Sequence, residues 1–262
     1  MPMITSNMLN NCDIFFVFKG KELLVRNPNS GAVELPQKEV VQKFFEQNYA
    51  KDWFFEENKG YFTVSLEESV PALQGFCWVN LRQLFASDYA LTALCSRALA
   101  LLNWRKTARF CGCCGGALQD DKFETARICP FCGSVFFPRI SPAVLILVKK
   151  DGKMLLVRQN QGNTNTYTCP AGFLEHGENI EACAKRTIKE ECGLEVKNIK
   201  YCSSQHWPYP DQLLIALTAE WAGGELVLQK TEIDDAKWFS FDNLPSIPKA
   251  GSIVYELIKN FS

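Results

Sequence analysis

Short apolar runs separated by polar or Gly/Pro breaks fill the first hundred residues: Ile14 to Phe18, Leu23 to Val25, Tyr61 to Leu66 and Phe76 to Val79. Runs of that length with such punctuation predict β-structure. The pattern changes at Ser87, a helix N-cap residue type, after which Leu91, Leu94, Cys95, Ala98, Leu101 and Leu102 recur at helical spacing. This predicts a helix that closes an N-terminal domain by burying its apolar stripe. A polar, glycine-rich stretch follows, too small to hold itself together by apolar burial. From Pro142 the runs return. AVLILVKK, the Asp151-Gly152 turn and KMLLVRQ predict a β-hairpin, followed by a helix near residues 179 to 192. Strands are predicted at 196 to 203, 212 to 221, 225 to 229 and 236 to 241, with Gly223-Gly224 as a hairpin turn, and a final helix from about Ser252. The fold class is α+β. A β-rich α/β domain spans 1–107, a small cysteine-bearing module 108–139 and a further α+β domain 140–262, without internal repeats.

Composition narrows the class rather than the fold. Hydrophobic residues make up 47% and charged residues 22%, close to globular averages, so neither disorder nor a fibrous architecture is indicated. A formal net charge of -1 provides no general attraction to polyanions, so any nucleic-acid contact needs a local patch. The N-terminus has no basic start followed by an apolar stretch of signal length, and its first apolar run is far too short to cross a membrane. A soluble, cytoplasmic protein without membrane contact is expected. The chain has 12 cysteines. Four of them fall in two CxxC pairs and the rest are scattered, which fits metal binding in a reducing compartment better than a disulfide framework.

Cys111 and Cys114 form one pair, Cys129 and Cys132 the other, with residues 115 to 128 between them. Each knuckle turns both thiolates toward one ion, and four thiolates close a tetrahedral structural Zn²⁺ site with no open position. A redox CxxC is the weaker alternative at this spacing. Cys113 lies between two ligands and is read as a bystander. Arg105, Lys106, Arg109, Lys122, Arg127 and Arg139 surround this zinc ribbon, interspersed with Asp120, Asp121 and Glu124. A solvated face explains them better than an RNA-binding module, since the aromatic and basic interleaving of such modules is not evident.

The richest chemistry lies in GFLEHGENIEACAKRTIKEECGL. Residues i, i+3 and i+4 share a helical face, so carboxylates at 187, 190 and 191 would form one cluster able to hold hard divalent cations. Mg²⁺ or Mn²⁺ there would neutralise a diphosphate and stabilise charge on the leaving phosphate oxygen. Glu190 and Glu191 are present, but position 187 is Thr. Its hydroxyl can reach a metal-bound water yet supplies no charge, and Arg186 loses the neighbour it is expected to orient. The plain alternative for Glu190-Glu191 is a solvated helix face.

Gly172, Glu178, Arg186, Glu190, Glu191, Gly193 and Leu194 resemble the Nudix box. Ser204-Gln205-His206-Trp207-Pro208-Tyr209-Pro210 is similar to the SQPWPFPxS signature of NADH pyrophosphatases, with His206, Tyr209 and Gln212 as departures. With the ribbon, the likeness covers about residues 110 to 245. It implies a C-terminal Nudix fold, in which a mixed sheet is sandwiched by helices, and a zinc-stapled homodimer. It also implies hydrolysis of NAD(H) to nicotinamide mononucleotide and AMP, with NAD-capped RNA as a further substrate. Catalysis would rest on Glu191, Glu190, Glu178 and Arg186, with Glu190, Glu191 and Glu232 holding Mg²⁺ or Mn²⁺. Phe173 would stack on the nicotinamide or base, Phe137 would enter the partner subunit's pocket, and Gln205 and Trp207 would shape the nucleotide site. Two other outcomes stay open: another nucleoside diphosphate derivative such as ADP-ribose, allowed by His206 and Gln212, or a nucleotide-binding protein weakened or inactivated by Thr187.

Overall fold

Strand-length apolar runs have unpaired backbone groups along both edges, and pairing them yields two large sheets here, beside a small three-stranded one. A computed structural model describes residues 6–26, 33–56, 59–86, 89–160 and 165–261. By its internal contacts the chain divides into Met1–Arg139 and Ile140–Ser262. The first unit contains α1 (Ser6–Asn10), β1 (Ile14–Lys19), β2 (Glu22–Arg26), α2 (Lys38–Glu46), β3 (Ala50–Glu56), β4 (Tyr61–Leu66), β5 (Phe76–Asn80), α3 (Leu81–Leu84), α4 (Tyr89–Thr107), β6 (Gln119–Asp120), β7 (Arg127–Ile128) and β8 (Val135–Phe136). The second contains β9 (Ser141–Lys150), β10 (Lys153–Gln159), β11 (Ala171–Phe173), α5 (Ile180–Cys192), β12 (Glu195–Trp207), β13 (Gln212–Gly223), β14 (Ile233–Ser240) and α6 (Ile253–Asn260).

The sheet of the first unit runs β3-β4-β1-β2-β5, with β1 and β4 parallel. Phe15, Val17, Phe62 and Val64 pack with Val41 and Phe44 of α2, while the alternate residues Phe16, Phe18 and Tyr61 are buried as well. A strand hidden on both faces reads as a continuous apolar run, which is why these strands were legible. The short elements α1, α3, β6, β7 and β8 were not, nor were two longer ones. Strand β3 carries Lys51, Asp52 and Glu56, which interrupt its run. Helix α2 carries Val40, Val41, Phe44 and Phe45 at helical spacing, but it is only 9 residues long and its apolar residues are Val and Phe, types of low helix propensity set in a stretch of β-forming runs. Helix α4 forms as expected and buries Cys95, Ala98, Leu101 and Leu102. Its expected N-cap, Ser87, lies outside the described residues. Arg97 of α4 chelates Glu56, with Nη2–Oε1 2.7 Å and Nε–Oε2 3.0 Å, and donates to Thr125 beside the small sheet β6-β7-β8 at 3.1 Å.

The second unit is a mixed sheet sandwiched by helices, ordered β12-β13-β9-β10-β14 with β11 also on β9. Strand β9 is parallel to β13, and alternate residues face opposite layers. Val144, Ile146 and Val148 meet Cys183, Ala184, Ile188 and Cys192 of α5, whereas Leu145 and Leu147 meet Ile253, Val254, Leu257 and Ile258 of α6. Each such aliphatic side chain contributes roughly 1.5–3 kcal/mol on full burial. The hairpin turn between β9 and β10 has Asp151 and Gly152 at φ 47° and 71°, matching the right-handed strand twist. Ser252 caps α6 by accepting from Tyr255 N at 3.3 Å. No helix among the described residues is long and apolar enough to cross a membrane.

One expected strand, 225 to 229, does not form, and Gly223-Gly224 is not a hairpin turn. The segment crosses the end of α5 instead. Val227 N and Gln229 N donate to Cys192 O and Glu191 O at 3.0 Å. A helix end leaves its last carbonyls without partners, and satisfying them wins over extending a sheet. The approach is close: a Cβ on Gly224 would lie 2.7 Å from Gly193 O, at a φ of +87°. Gly224→Ala should therefore destabilise the protein by about 2–3 kcal/mol. Gly152→Ala, where φ is also positive but nothing lies within 4 Å, should cost about 1 kcal/mol. Urea midpoints of the two variants check this, and equal losses would refute the close contact.

Candidate active site and metal centre

Helix α5 starts where Asn179 accepts from Ala182 N at 2.8 Å and stops at Gly193, whose φ of 73° is the left-handed cap. Cys183, Ala184, Thr187, Ile188, Glu191 and Cys192 fall on its buried face. A carboxylate therefore lies among apolar neighbours. Glu191 is 6% exposed and its Oε2 has no hydrogen-bond partner. Burial, followed by the charges of Glu232 and Glu190, pushes its carboxyl up to about 7, and the Ala171 backbone N–H counters this only in part. The structure thus brings Glu190, Glu191 and Glu232 within electrostatic reach. The solvated-face alternative does not hold for Glu191.

Thr187 is 2% exposed. A Cβ added at Gly172 would fall 2.1 Å from its Oγ1, so the Thr hydroxyl is pressed against the glycine backbone, with Cys183 Sγ at 4.0 Å. It is packed into the contact between α5 and β11.

Arg186 does not lose its partners. Its Nε and Nη2 chelate Glu178 at 2.6 and 2.8 Å, Nη1 reaches Glu190 Oε2 at 3.1 Å, and Nη2 also donates to Phe173 O at 2.9 Å. Glu175 N adds a 3.0 Å bond to Glu178. The guanidinium and that amide hold the Glu178 carboxyl down near 2. Both Glu178 oxygens are occupied, so this residue braces the loop before α5. Glu190 remains half-exposed beyond the guanidinium. The brace was not visible in the sequence, because spacing shows which groups share a face but not which of them consume one another.

Divalent cations fit this chemistry. Glu191 has a buried oxygen without a partner, it is flanked by two further carboxylates, and its resistance to ionisation is what a cation would remove. Phe173, at the end of β11, is 53% exposed, so the ordinary buried fate of Phe is excluded. Trp207 is half-buried and makes an edge contact with Tyr209, ring centres 5.2 Å apart. Gln205 is otherwise engaged. Its Nε2 donates to Gly251 O at 2.8 Å and its Oε1 accepts from Ile253 N at 2.9 Å, so its carboxamide ties β12 to the start of α6.

In the first unit, Cys111, Cys114, Cys129 and Cys132 place their sulfurs within 4.8 Å of one another. The Cys111–Cys132 and Cys114–Cys129 separations are 3.6 and 3.4 Å. A tetrahedron with Zn–S near 2.3 Å has edges of about 3.8 Å, so the cluster is compatible with structural zinc. Both knuckles are built alike: Gly115 N and Gly133 N donate to Cys111 O and Cys129 O at 2.9 Å, with φ of 76° and 75°. Cys113 is exposed and stands outside the cluster. Of the surrounding cations, Arg105 and Arg127 both pair with Asp120, and Arg127 also donates to Ala108 O and Leu118 O. They brace the module internally. Phe137, past β8, is 60% exposed.

A model of the NUDIX domain matches residues 138–261, and one of the NADH pyrophosphatase-like rudimentary NUDIX domain matches residues 12–104. The NAD-capped RNA hydrolase NudC of Chromobacterium violaceum is 40% identical over 205 residues, 78% of this chain and 77% of that protein. Its namesake in Pseudomonas aeruginosa is 38% identical over 198 residues, 75% and 71% of the two chains. A crystal structure of a NUDIX hydrolase from Nitrosomonas europaea superposes with a TM-score of 0.52 at 22% identity, over 58% of this chain and 89% of that one, a likeness of fold. Matched in both units and related along most of its length to proteins of this kind, the chain belongs to the Nudix hydrolase family, in its NADH pyrophosphatase (NudC-like) group.

Proposed function

We propose that this protein hydrolyses the diphosphate of NAD(H) to nicotinamide mononucleotide and AMP, and removes the same unit from NAD-capped RNA. The carrying observation is the buried, unpartnered Glu191 carboxylate beside Glu190 and Glu232, in a chain 38–40% identical to proteins named NAD-capped RNA hydrolase. Water adds its oxygen to one phosphorus, the bridging P–O bond of the diphosphate breaks, and both products leave as phosphate monoesters. Glu191 and Glu232, with Glu190 lending the oxygen that Arg186 leaves free, would hold Mg²⁺ or Mn²⁺, which when bound neutralises the diphosphate and acidifies the attacking water. Glu191 accepts the proton of that water, a role its raised carboxyl pKa, pushed up to about 7 by burial and by the charge of Glu232, supports. Arg186 and Glu178 act as positioning residues, fixing Glu190 and the Phe173 carbonyl. The Phe173 ring is free to stack on a base or nicotinamide, Trp207 walls the nucleotide site, and Gln205 supports that wall through α6. Phe137 would supply its ring to a partner subunit in a homodimer, and the protein would work in the cytoplasm. Cys111, Cys114, Cys129 and Cys132 hold a structural Zn²⁺.

Thr187 favours a second reading, a nucleotide-binding protein with feeble turnover. Incubation of purified protein with NADH and Mn²⁺ separates the two: AMP and mononucleotide are expected, faster than any product from ADP-ribose, and no product at high enzyme concentration would sink the hydrolase reading. Glu191→Gln should lower kcat by about a hundredfold or more. Zinc content gives an independent check on the ribbon. Cys113→Ser should retain the metal and Cys114→Ser should lose it, and the reverse pattern would reassign the ligands.

A further inference from the structure

The carboxylate oxygens around α5 are not equally available. Both oxygens of Glu178 are consumed by Arg186 and the Glu175 amide. Glu190 gives one oxygen to Arg186 at 3.1 Å. Position 187 has no carboxylate, and its hydroxyl is buried against Gly172. Among the described residues of this cluster, Glu191, with Oε2 buried and unbonded, and Glu232, whose charge acts on it, make no ion pair, although the Arg186 charge is felt at Glu191. Each divalent ion adds two positive charges, and hard cations need several anionic oxygens at once. The donors not already spent on Arg186 suffice for a single such ion.

We infer that this chain holds one divalent cation tightly, centred on Glu191 and Glu232, and that Thr187 removes the donor for a second. Arg186 takes over part of the missing charge by drawing Glu190 to itself. The cation centre is thereby reduced in number while the clamp on the loop before α5 is retained. This rests on the reading of the α5 cluster as a divalent-metal site but not on NADH being the substrate.

Titration of full-length, zinc-loaded protein with Mn²⁺, with free Mn²⁺ counted by electron paramagnetic resonance, tests it. Wild type should bind one ion tightly. Glu191→Gln should weaken that ion by more than about tenfold and Glu190→Gln by less than about threefold. Thr187→Glu, whose longer side chain carries its carboxylate past the Gly172 contact toward Glu190 and Glu191, should add a second tight ion. Two tight ions in wild type, equal losses from the two Gln variants, or an unchanged count in a folded Thr187→Glu would each overturn the inference. Should Thr187→Glu fail to fold, as judged by circular dichroism and zinc content, the wild-type count and the Glu190 and Glu191 variants still decide it. The outcomes separate from the proposed function. One ion bound without NADH hydrolysis sinks the substrate reading alone, and hydrolysis with two tight ions sinks only this one.

Discussion

The centre of this protein depends on one constraint: α5 must bury the face that carries Glu191. Cys183, Ala184, Ile188 and Cys192 seal the helix onto Val144, Ile146 and Val148 of the sheet, and the 3.6-residue period puts Glu191 on the same side. A buried carboxylate without a counterion costs free energy. The apolar packing that stabilises the unit is what sustains that cost, and it leaves an oxygen in want of a cation. The site is strained electrostatically because the fold around it is well packed.

Contact at Gly172 sets how close α5 comes to β11. With no side chain at 172, the Thr187 hydroxyl lies where a Cβ would be, so the helix and strand approach more closely than any other residue would permit. At its far end α5 is tied by the segment after Gly224, whose amides take up the Glu191 and Cys192 carbonyls. That detour also directs the chain to Glu232, since Glu232 N bonds Gln229 O at 3.0 Å immediately afterwards. A helix cap thus delivers a carboxylate that lies 41 positions beyond Glu191 in the chain (232 − 191).

Charge is distributed by the same economy in the first unit. Arg97, Arg105 and Arg127 pair with Glu56, Asp120 and backbone carbonyls, so a module whose apolar cluster is only Leu118 and Phe136 around Cys111 and Cys129 is held largely by ion pairs and a sulfur cluster. Small segments cannot bury enough apolar area to fold unaided. Of the basic residues around the cysteines, Arg105 and Arg127 are spent on cohesion, while Lys106, Arg109, Lys122 and Arg139 are exposed.

Local signals in the sequence determined much. Apolar runs, turn residues and caps specified most strands, α4, α5 and α6. The CxxC spacing identified four sulfurs for one ion, and the positions from Gly172 to Leu194 identified the chemistry. These are legible because period and short spacing depend only on neighbouring residues. Only the tertiary structure decided that 225–229 caps a helix instead of extending the sheet, that Arg186 consumes Glu178 rather than leaving it to a cation, that Gln205 is tied to α6, and that the Thr187 hydroxyl faces Gly172. Each of these outcomes depends on which of several possible partners lies within hydrogen-bond or contact distance. Such distances between residues remote in the chain are set by how the layers pack.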